Sequence, residues 1–292
     1  MRLHHFRQIA GVVLFAAALA APVLAAKGAD RPGAGGNQGN PGVLPPASMP
    51  YGHSYSEWTA LWWQWAYSLP VAGHPLFDET GAYAGAGQSG PVWFLGGVFN
   101  VSGTATRNIT VPSGKALFFP IINAEWDNEC PVSDPPLSLA ELEALVKSAV
   151  DTGYDIECDL DGVSITNLNR YRFTANFPIT VPSGNIFDFF GCPTTPGTYS
   201  PVAGDGYYLM LRPLSEGTHH LHFHGSFAAF GNFTLDITYN ITVTPAASSV
   251  TSPATARAST LGQGASPAIT PSDTPVLPAR RTSWGALKRQ YR

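Results

Sequence analysis

The chain has 292 residues, a net charge of −4 at neutral pH and only 12% charged residues, about half the usual share. Low charge together with 30 glycines and 26 prolines is typical of a turn-rich β protein, and it disfavours a mainly helical fold. The body of the sequence contains no basic stripe, so we expect no nucleic-acid partner.

The N-terminus has the pattern of a secretory signal peptide, predicted to span residues 1–25. Arg2 and Arg7 precede the apolar run Ile9–Leu24, and Val23-Leu24-Ala25 fits the small-x-small cleavage rule. A membrane anchor is the alternative, but it needs about 20 apolar residues and this run is shorter. We therefore predict a secreted or periplasmic bacterial protein with no membrane span after cleavage.

Two further segments contain little that could form a core. Residues 26–50 carry the run G-A-G-G-N-Q-G-N-P-G, and residues 245–292 are rich in Ser, Thr, Ala and Pro. We predict that both are disordered, which leaves residues 51–244 as a single domain. The tail closes with the basic segment Arg280–Arg292, which is either a solvated tail or a tag for an anionic surface or partner.

Two segments of the domain are predicted to be helices, Ser54–Leu69 and Ser138–Thr152. Each begins with a serine followed three residues later by a glutamate, the pattern of a capping box. Each then carries apolar side chains at helical spacing, and Pro70 ends the first helix.

The first helix contains four tryptophans within eight residues. Most of its aromatic side chains lie on the apolar stripe, which indicates a helix that covers a sheet. Trp63 and Tyr67 lie off this stripe, so they are candidates for an aromatic platform that stacks on a sugar. The sequence leaves both interpretations open, and the second would imply a glycan or cell-surface partner.

An acidic segment, Asn123–Glu129 (N-A-E-W-D-N-E), follows the apolar strand A-L-F-F-P-I-I at 116–122. An extended chain would place Glu125, Asp127 and Glu129 on one side, because alternate residues point the same way. Such carboxylates could bind calcium or supply the acid pair of a glycosidase. The alternative is a solvated loop. Pro120 in the preceding strand indicates an edge or a bulge.

The segment Gly217–Gly225 (G-T-H-H-L-H-F-H-G) holds four histidines and is predicted to be a strand. One face would carry the core positions His219, Leu221 and Phe223, and the other would carry His220, His222 and His224. The second row could bind zinc or copper through two imidazoles from alternate positions. Otherwise these side chains titrate in water near pH 6.5.

Three cysteines, Cys130, Cys158 and Cys192, would meet an oxidising compartment, where two of them normally pair. The sequence does not choose among the three pairings. We favour Cys130–Cys158, because these two residues flank the second predicted helix. No C-x-x-C spacing supports a redox or zinc motif.

After residue 153 the pattern is that of β structure. Asp161-Gly162 is a favoured hairpin turn, and Phe233–Val243 alternates cleanly between apolar and polar residues. We predict a mainly β fold: an antiparallel β-sandwich, immunoglobulin-like or jelly-roll-like, with one Trp-rich N-terminal helix and one inserted helix.

Several motifs together resemble a widespread group of uncharacterised secreted bacterial proteins. They are W-x-x-x-W-W-x-W, G-Q-x-G-x-V-W-F-L-G-G, V-P-x-G-x-x-L-F-F-P-I-x-N, D-G-Y-Y-L-M-L-x-P-L and G-T-H-x-L-x-F-x-G, at Trp58–Trp65, Gly87–Gly97, Val111–Asn123, Asp205–Leu214 and Gly217–Gly225. The last motif and the strand after it also look like the final strands of bacterial immunoglobulin-like sandwiches. The resemblance implies no activity, substrate or catalytic residue.

Three functions remain open. The first is a non-catalytic binding or surface module. The second is a metal protein that uses His220, His222 and His224. The third is a carbohydrate-active enzyme that uses acidic residues near Glu125–Glu129. We favour the first, because it fits the predicted signal peptide, the linker, the single domain and the low charge, and the sequence offers no serine-hydrolase or zinc-peptidase motif that would favour catalysis.

Overall fold

The computed structural model describes residues 40–99, 103–229 and 231–246. In this part of the chain, nine strands form two sheets that pack face to face. The strands are β1 (Val92–Phe94), β2 (Thr104–Pro112), β3 (Ala116–Trp126), β4 (Gly153–Leu160), β5 (Val163–Ser164), β6 (Arg172–Val181), β7 (Gly197–Leu211), β8 (Gly217–Phe227) and β9 (Phe233–Thr244). The helices are α1 (Tyr55–Tyr67), α2 (Leu139–Val150) and the single turn α3 (Ile186–Phe189). The predicted β-sandwich with its Trp-rich helix and inserted helix is confirmed.

One sheet has the strand order β1-β3-β7-β6 and the other β2-β9-β8-β4-β5. Each sheet contains one parallel pair, β1 with β3 and β2 with β9, among antiparallel neighbours. The β2–β9 pair aligns two identical N-I-T-V segments in register, Asn108–Val111 beside Asn240–Val243. Asn240 donates a side-chain hydrogen bond of 2.9 Å to Asn108 across this pair.

The four-stranded sheet is the middle layer, since α1 and α2 pack on its strands and the five-stranded sheet lies beneath it. Phe118 of β3 contacts Tyr55 and Trp58 of α1, whereas the neighbouring Phe119 stacks on Phe223 of β8 with 5.2 Å between ring centroids. Burial on both faces explains why this strand reads as a continuous apolar run. The β-bulge after Pro120 keeps the proline within an interior strand.

Helix α1 begins where the sequence predicted. The Ser54 hydroxyl accepts from the Glu57 N–H, and the Ser54 N–H donates to the Glu57 carboxylate at 2.6 Å. All four indole N–H groups of α1 donate to protein acceptors, as buried tryptophans require. The acceptors are Pro50 O for Trp58, Leu95 O for Trp62, the Tyr208 hydroxyl for Trp63 and Ala86 O for Trp65.

The histidine strand, β8, lies inside the five-stranded sheet between β9 and β4. Leu221 and Phe223 are fully buried as predicted, whereas His219, the third residue predicted on this face, is half-buried and faces Asp161 at 2.8 Å. Gly225 allows close approach of the two sheets, because a Cβ there would lie 2.6 Å from Cγ2 of Ile122 on β3. The other face of β8 points away from the sandwich interior.

The chain packs on the sandwich earlier than we predicted. Val43 is fully buried, and the Leu44 N–H donates to Met210 O at 2.8 Å. Residues 40–50 therefore belong to the folded unit and not to a linker. The predicted signal peptide, the rest of the predicted linker and the tail beyond 246 lie outside the described residues. None of the helices in the described residues is long and apolar enough to cross a membrane.

The disulfide joins Cys130 to Cys192 with 5.4 Å between the Cα atoms, so the favoured Cys130–Cys158 pairing is wrong. Cys158 lies on the inward face of β4, where its thiol is buried and forms no disulfide. Cys130 and Cys192 lie outside the strands, in the turn after β3 and just after α3. Residues 185–200 were predicted to form a loop, so the helix α3 that brings Cys192 close to Cys130 was not expected.

Candidate binding groove and the predicted site residues

A groove of about 410 Å³ opens where the start of β4 and the segment 165–169 meet β7. Its floor is apolar, with Ile165 and Leu168 buried and Ile156 half-buried. Tyr154, 39% exposed, and the half-buried Tyr207 also line the groove. The other lining residues are Asp155, Thr166, Asn167 and Asn169.

Four polar side chains of the groove have no partner among the described residues, and three of them, Tyr154, Asp155 and Asn169, are exposed to water. In the described part of the chain, the side chains of Tyr154, Asp155, Asn169 and Tyr207 make no hydrogen bond or ion pair. The two hydroxyls and the amide can donate and accept, and the carboxylate accepts. Among the described residues that line the groove, none is Lys, Arg or His. The groove is therefore suited to a ligand with hydroxyl groups and no negative charge.

The 165–169 side of the groove is held in place by the core. Asn40, almost fully buried, accepts from the Thr166 N–H at 2.7 Å and donates to Thr166 O at 2.9 Å. The Ile165 N–H donates to Cys158 O of β4 at 2.8 Å. These bonds fix the segment before any ligand arrives, which lowers the entropic cost of binding.

The backbone beside the groove is irregular in two places. Two of the five non-glycine residues with positive φ in the described chain, Asp155 (51°) and Asn167 (58°), line the groove. The pairing of β4 with β8 also shifts register between Tyr154 and Glu157. Bulges and unusual backbone angles re-aim side chains, and they concentrate at functional sites.

The predicted aromatic and acidic residues do come together, but in the core. Trp63 and Tyr67 are each 3% exposed, with 5.9 Å between ring centroids. The Tyr67 hydroxyl donates to Glu125, which is fully buried. Asp127 is also buried and accepts from two backbone N–H groups that follow it, at 2.6 Å each.

The predictions of an accessible aromatic platform and of an open acidic cleft are therefore wrong. The side of α1 that lies off the apolar stripe faces β6, where Trp63 stacks near Phe177 at 6.5 Å. Both sides of the helix are thus covered by protein. Burial, together with the charges of Glu125 and Asp127, raises the pKa of Tyr67 well above its ordinary value. Tyr67 therefore remains a protonated donor.

The outward row of histidines does not converge. Both ring nitrogens of His222 face carboxylates, at 3.2 Å from Asp159 and 2.7 Å from Asp236. His220 is exposed and His224 is half-buried. Among the described residues, no group of three or more His, Cys, Asp or Glu side chains could hold a metal ion. The structure therefore gives no support to a zinc or copper site at these histidines, or to a calcium site at Glu125, Asp127 and Glu129.

Sequence reasoning missed the groove. Tyr154, Asp155 and Asn169 read as residues of ordinary turns and strand ends, and Tyr207 is far from them in the chain. The one sequence feature that could have indicated the groove is the segment T-N-L-N at 166–169, which lies between two strands and contains two asparagines. Only the fold reveals that it faces two tyrosines.

No known protein family, curated protein or solved structure matches the chain. The resemblance to secreted bacterial proteins therefore stays a prediction. Fold and groove define a β-sandwich protein with an open groove of tyrosine, asparagine and aspartate side chains. A sandwich hosts many unrelated functions, so the function must be argued from the groove.

Proposed function

We propose that this protein is an exported, non-catalytic binding module that holds a neutral carbohydrate in its groove. The observation that supports this most is the set of four side chains, Tyr154, Asp155, Asn169 and Tyr207, whose polar ends have no partner within the described chain. They surround an apolar floor, the arrangement that small-ligand sites use to combine contact area with orientation.

The chemistry of a sugar fits this lining. A sugar ring has apolar C–H faces that pack against tyrosine rings, and hydroxyl groups at its edge that donate and accept. Asn169 can do both, and Asp155 can accept from neighbouring hydroxyls. Phosphorylated or sulfated ligands would face a carboxylate with no compensating cation among the described lining residues.

The groove is suited to binding and not to hydrolysis. A glycosidase of the common type needs two carboxyl groups roughly 5–9.5 Å apart beside the scissile bond. Asp155 is the single carboxylate among the described residues that line the groove. Of the other acidic candidates, Glu125 and Asp127 are buried in the core, and Glu129 is half-buried and does not line the groove.

Two observations support export to an oxidising compartment. The N-terminal sequence has the features of a signal peptide. The second observation is the Cys130–Cys192 disulfide, because disulfides persist in secreted and periplasmic proteins. An extracytoplasmic location also brings the groove into contact with envelope and environmental glycans.

The test is a screen of the exported full chain on an array of neutral oligosaccharides, followed by calorimetric titration of the ligands retained. Tyr154→Ala and Asn169→Ala should each weaken binding about tenfold, because each removes a contact worth roughly 1–1.5 kcal/mol. Tyr83→Ala is the matched control, since Tyr83 is 52% exposed and lies outside the groove. Retention of no neutral glycan, or unchanged binding by both groove variants, would refute the proposal. Cleavage of a bound oligosaccharide would favour an enzyme instead.

A further inference from the structure

The outer face of the five-stranded sheet is polar, and neither α1 nor α2 packs on it. Helices α1 and α2 pack on β3, β6 and β7 of the other sheet. The outward side chains of β2 and β9 are Thr, Asn and Asp, and those of β8 are Thr, Ser and three His. Strand register places Glu157, His224 and Asp236 in one row, with Asp159 beside His222 in the next.

We call Glu157, Asp159 and Asp236 the acidic face; Asp161 is not part of it, because its carboxylate contacts the ring of His219 on the inward side of β8. Glu157 is exposed, and the side chains of Asp159 and Asp236 are 28% and 49% exposed. The five strands of this sheet contain one Lys or Arg, which is Arg107, and its side chain is buried. The strands of the sheet therefore place no Lys or Arg on this face, where Asp159 and Asp236 share His222 as a partner and Glu157 is exposed beside them.

The charge of the chain is divided unequally along its length. Residues 40–246 carry 18 acidic and six basic side chains, whereas residues 247–292 carry six basic and one acidic. Five of those six basic residues fall within Arg280–Arg292, which has no acidic residue. A modest net charge of −4 thus conceals a strongly acidic sandwich and a basic segment on the same chain.

The basic segment is tethered to the sheet whose outer face is acidic. Strand β9 carries Asp236 and ends at Thr244, so the exit point of the chain is only about 26 Å from that carboxylate. The residues between Ala246 and Arg280 can span about 100 Å when extended, which is ample. Tethering raises the local concentration of the segment at the face, so weak contacts suffice.

We propose that Arg280–Arg292 docks on the acidic face of its own molecule. The four arginines of the segment can pair with carboxylates in two-pronged geometry, and Lys288 adds a fifth positive charge. The docked segment covers the exposed row of carboxylates and histidines, and it withholds its own positive charge from other anionic surfaces. The proposal is independent of the groove and of its ligand.

The experiment is zero-length carbodiimide cross-linking of the full chain at low ionic strength, with peptide mapping of the monomer. Lys288 is the one lysine in residues 247–292, so its cross-links report where the segment lies. We expect Lys288 to be joined within one molecule to Glu157, Asp159 or Asp236. Half-molar salt should abolish most of this product, because exposed charge pairs are screened over a few ångströms at that concentration.

Two variants of the full chain decide the location. The double variant with Glu157→Gln and Asp236→Asn should lower the yield of intramolecular Lys288 cross-links about threefold or more. This is the change expected when two exposed ion pairs of ordinary strength are removed. Glu216→Gln is the control, since it removes an exposed carboxylate outside the acidic face. Cross-links spread over carboxylates on all sides of the sandwich would overturn the proposal. So would products that join only separate molecules, which would indicate a second copy as the occupant.

Discussion

Nε2 of His222 lies 2.7 Å from Oδ1 of Asp236 on the neighbouring strand. Its other ring nitrogen faces Asp159 at 3.2 Å. A neutral imidazole has a single N–H and can donate to only one of these carboxylates, whereas the protonated ring donates to both. Burial alone would lower the pKa of His222, but the hydrogen bonds and charges of Asp236 and Asp159 outweigh burial and raise it.

A raised pKa makes the stability of the fold depend on pH. The contribution of His222 should be fully present below the unfolded value of about 6.5 and should be lost as pH rises through the folded pKa. His222→Gln should therefore destabilise the protein at pH 6 but have little effect near pH 9. The difference should be at most about 1 kcal/mol, since these charges are partly exposed. Urea unfolding at the two pH values measures it.

His220→Gln is the control for this prediction, because His220 is exposed on the same face and its side chain contacts neither of these carboxylates. This variant should retain the pH dependence of the parent protein. If His222→Gln also retained it, the contacts with Asp159 and Asp236 would contribute nothing measurable to stability.

The histidine strand shows how far sequence reasoning reached. Alternation along Gly217–Gly225 was sufficient to place Leu221 and Phe223 in the core, because a strand has only two faces. It could not reveal what stands beside His222, since Asp159 and Asp236 come from two other strands whose register is set by the whole sheet. The sequence pattern of a histidine that pairs with carboxylates is the same as that of a histidine that binds a metal.

The disulfide leads to a second prediction. Replacing both Cys130 and Cys192 by serine should lower the free energy of unfolding by about 2–4 kcal/mol, because the link closes a long loop in the unfolded chain. Urea unfolding of the oxidised parent and the variant measures the change. Cys158→Ala, which leaves the disulfide intact, should cost less and serves as the control.

Thiol labelling tests the same pairing directly. Burial raises the pKa of the Cys158 thiol, so the native protein should not react with an alkylating reagent. The denatured but unreduced chain should incorporate one label, and peptide mapping should place it on Cys158. A label on Cys192 would contradict the Cys130–Cys192 pairing.

Tyr67 provides a third prediction. Tyr67→Phe removes the hydroxyl that donates to the buried Glu125 carboxylate, and it should destabilise the fold by about 1–3 kcal/mol. The measurement is chemical unfolding at neutral pH. Tyr83→Phe is the matched control, because Tyr83 is exposed and should tolerate the change. Equal stability of the two variants would mean that Glu125 does not depend on this donor.

The same pair explains why the sequence misled us about the site. Spacing correctly predicted where α1 begins and that Trp58, Trp62 and Trp65 face the sheet. It could not show that the side of α1 off this stripe also packs on protein, at β6, β7 and α3, so Trp63 and Tyr67 were expected to be accessible. The groove was missed for the complementary reason: its residues are ordinary individually, and their significance depends on β4 and β7 meeting in space.

A final prediction concerns Arg107, which is 1% exposed and is surrounded by oxygen atoms. Its guanidinium donates to the backbone oxygens of Asp78, Gly96 and Gly97 and to the Tyr239 hydroxyl, at 2.6–2.9 Å. These bonds hold the segments before and after β1 against β2 and β9, next to the sheet edge.

Arg107→Lys keeps the charge but should lower the free energy of unfolding by about 3 kcal/mol or more, because an ammonium group cannot span this fan of acceptors and leaves buried carbonyls unsatisfied. Arg170→Lys is the control, since Arg170 is exposed and the same exchange there should change stability by less than about 0.5 kcal/mol. Urea unfolding compares the two variants. A loss below about 1 kcal/mol at Arg107 would mean that the net charge, and not the shape of the guanidinium, holds these segments.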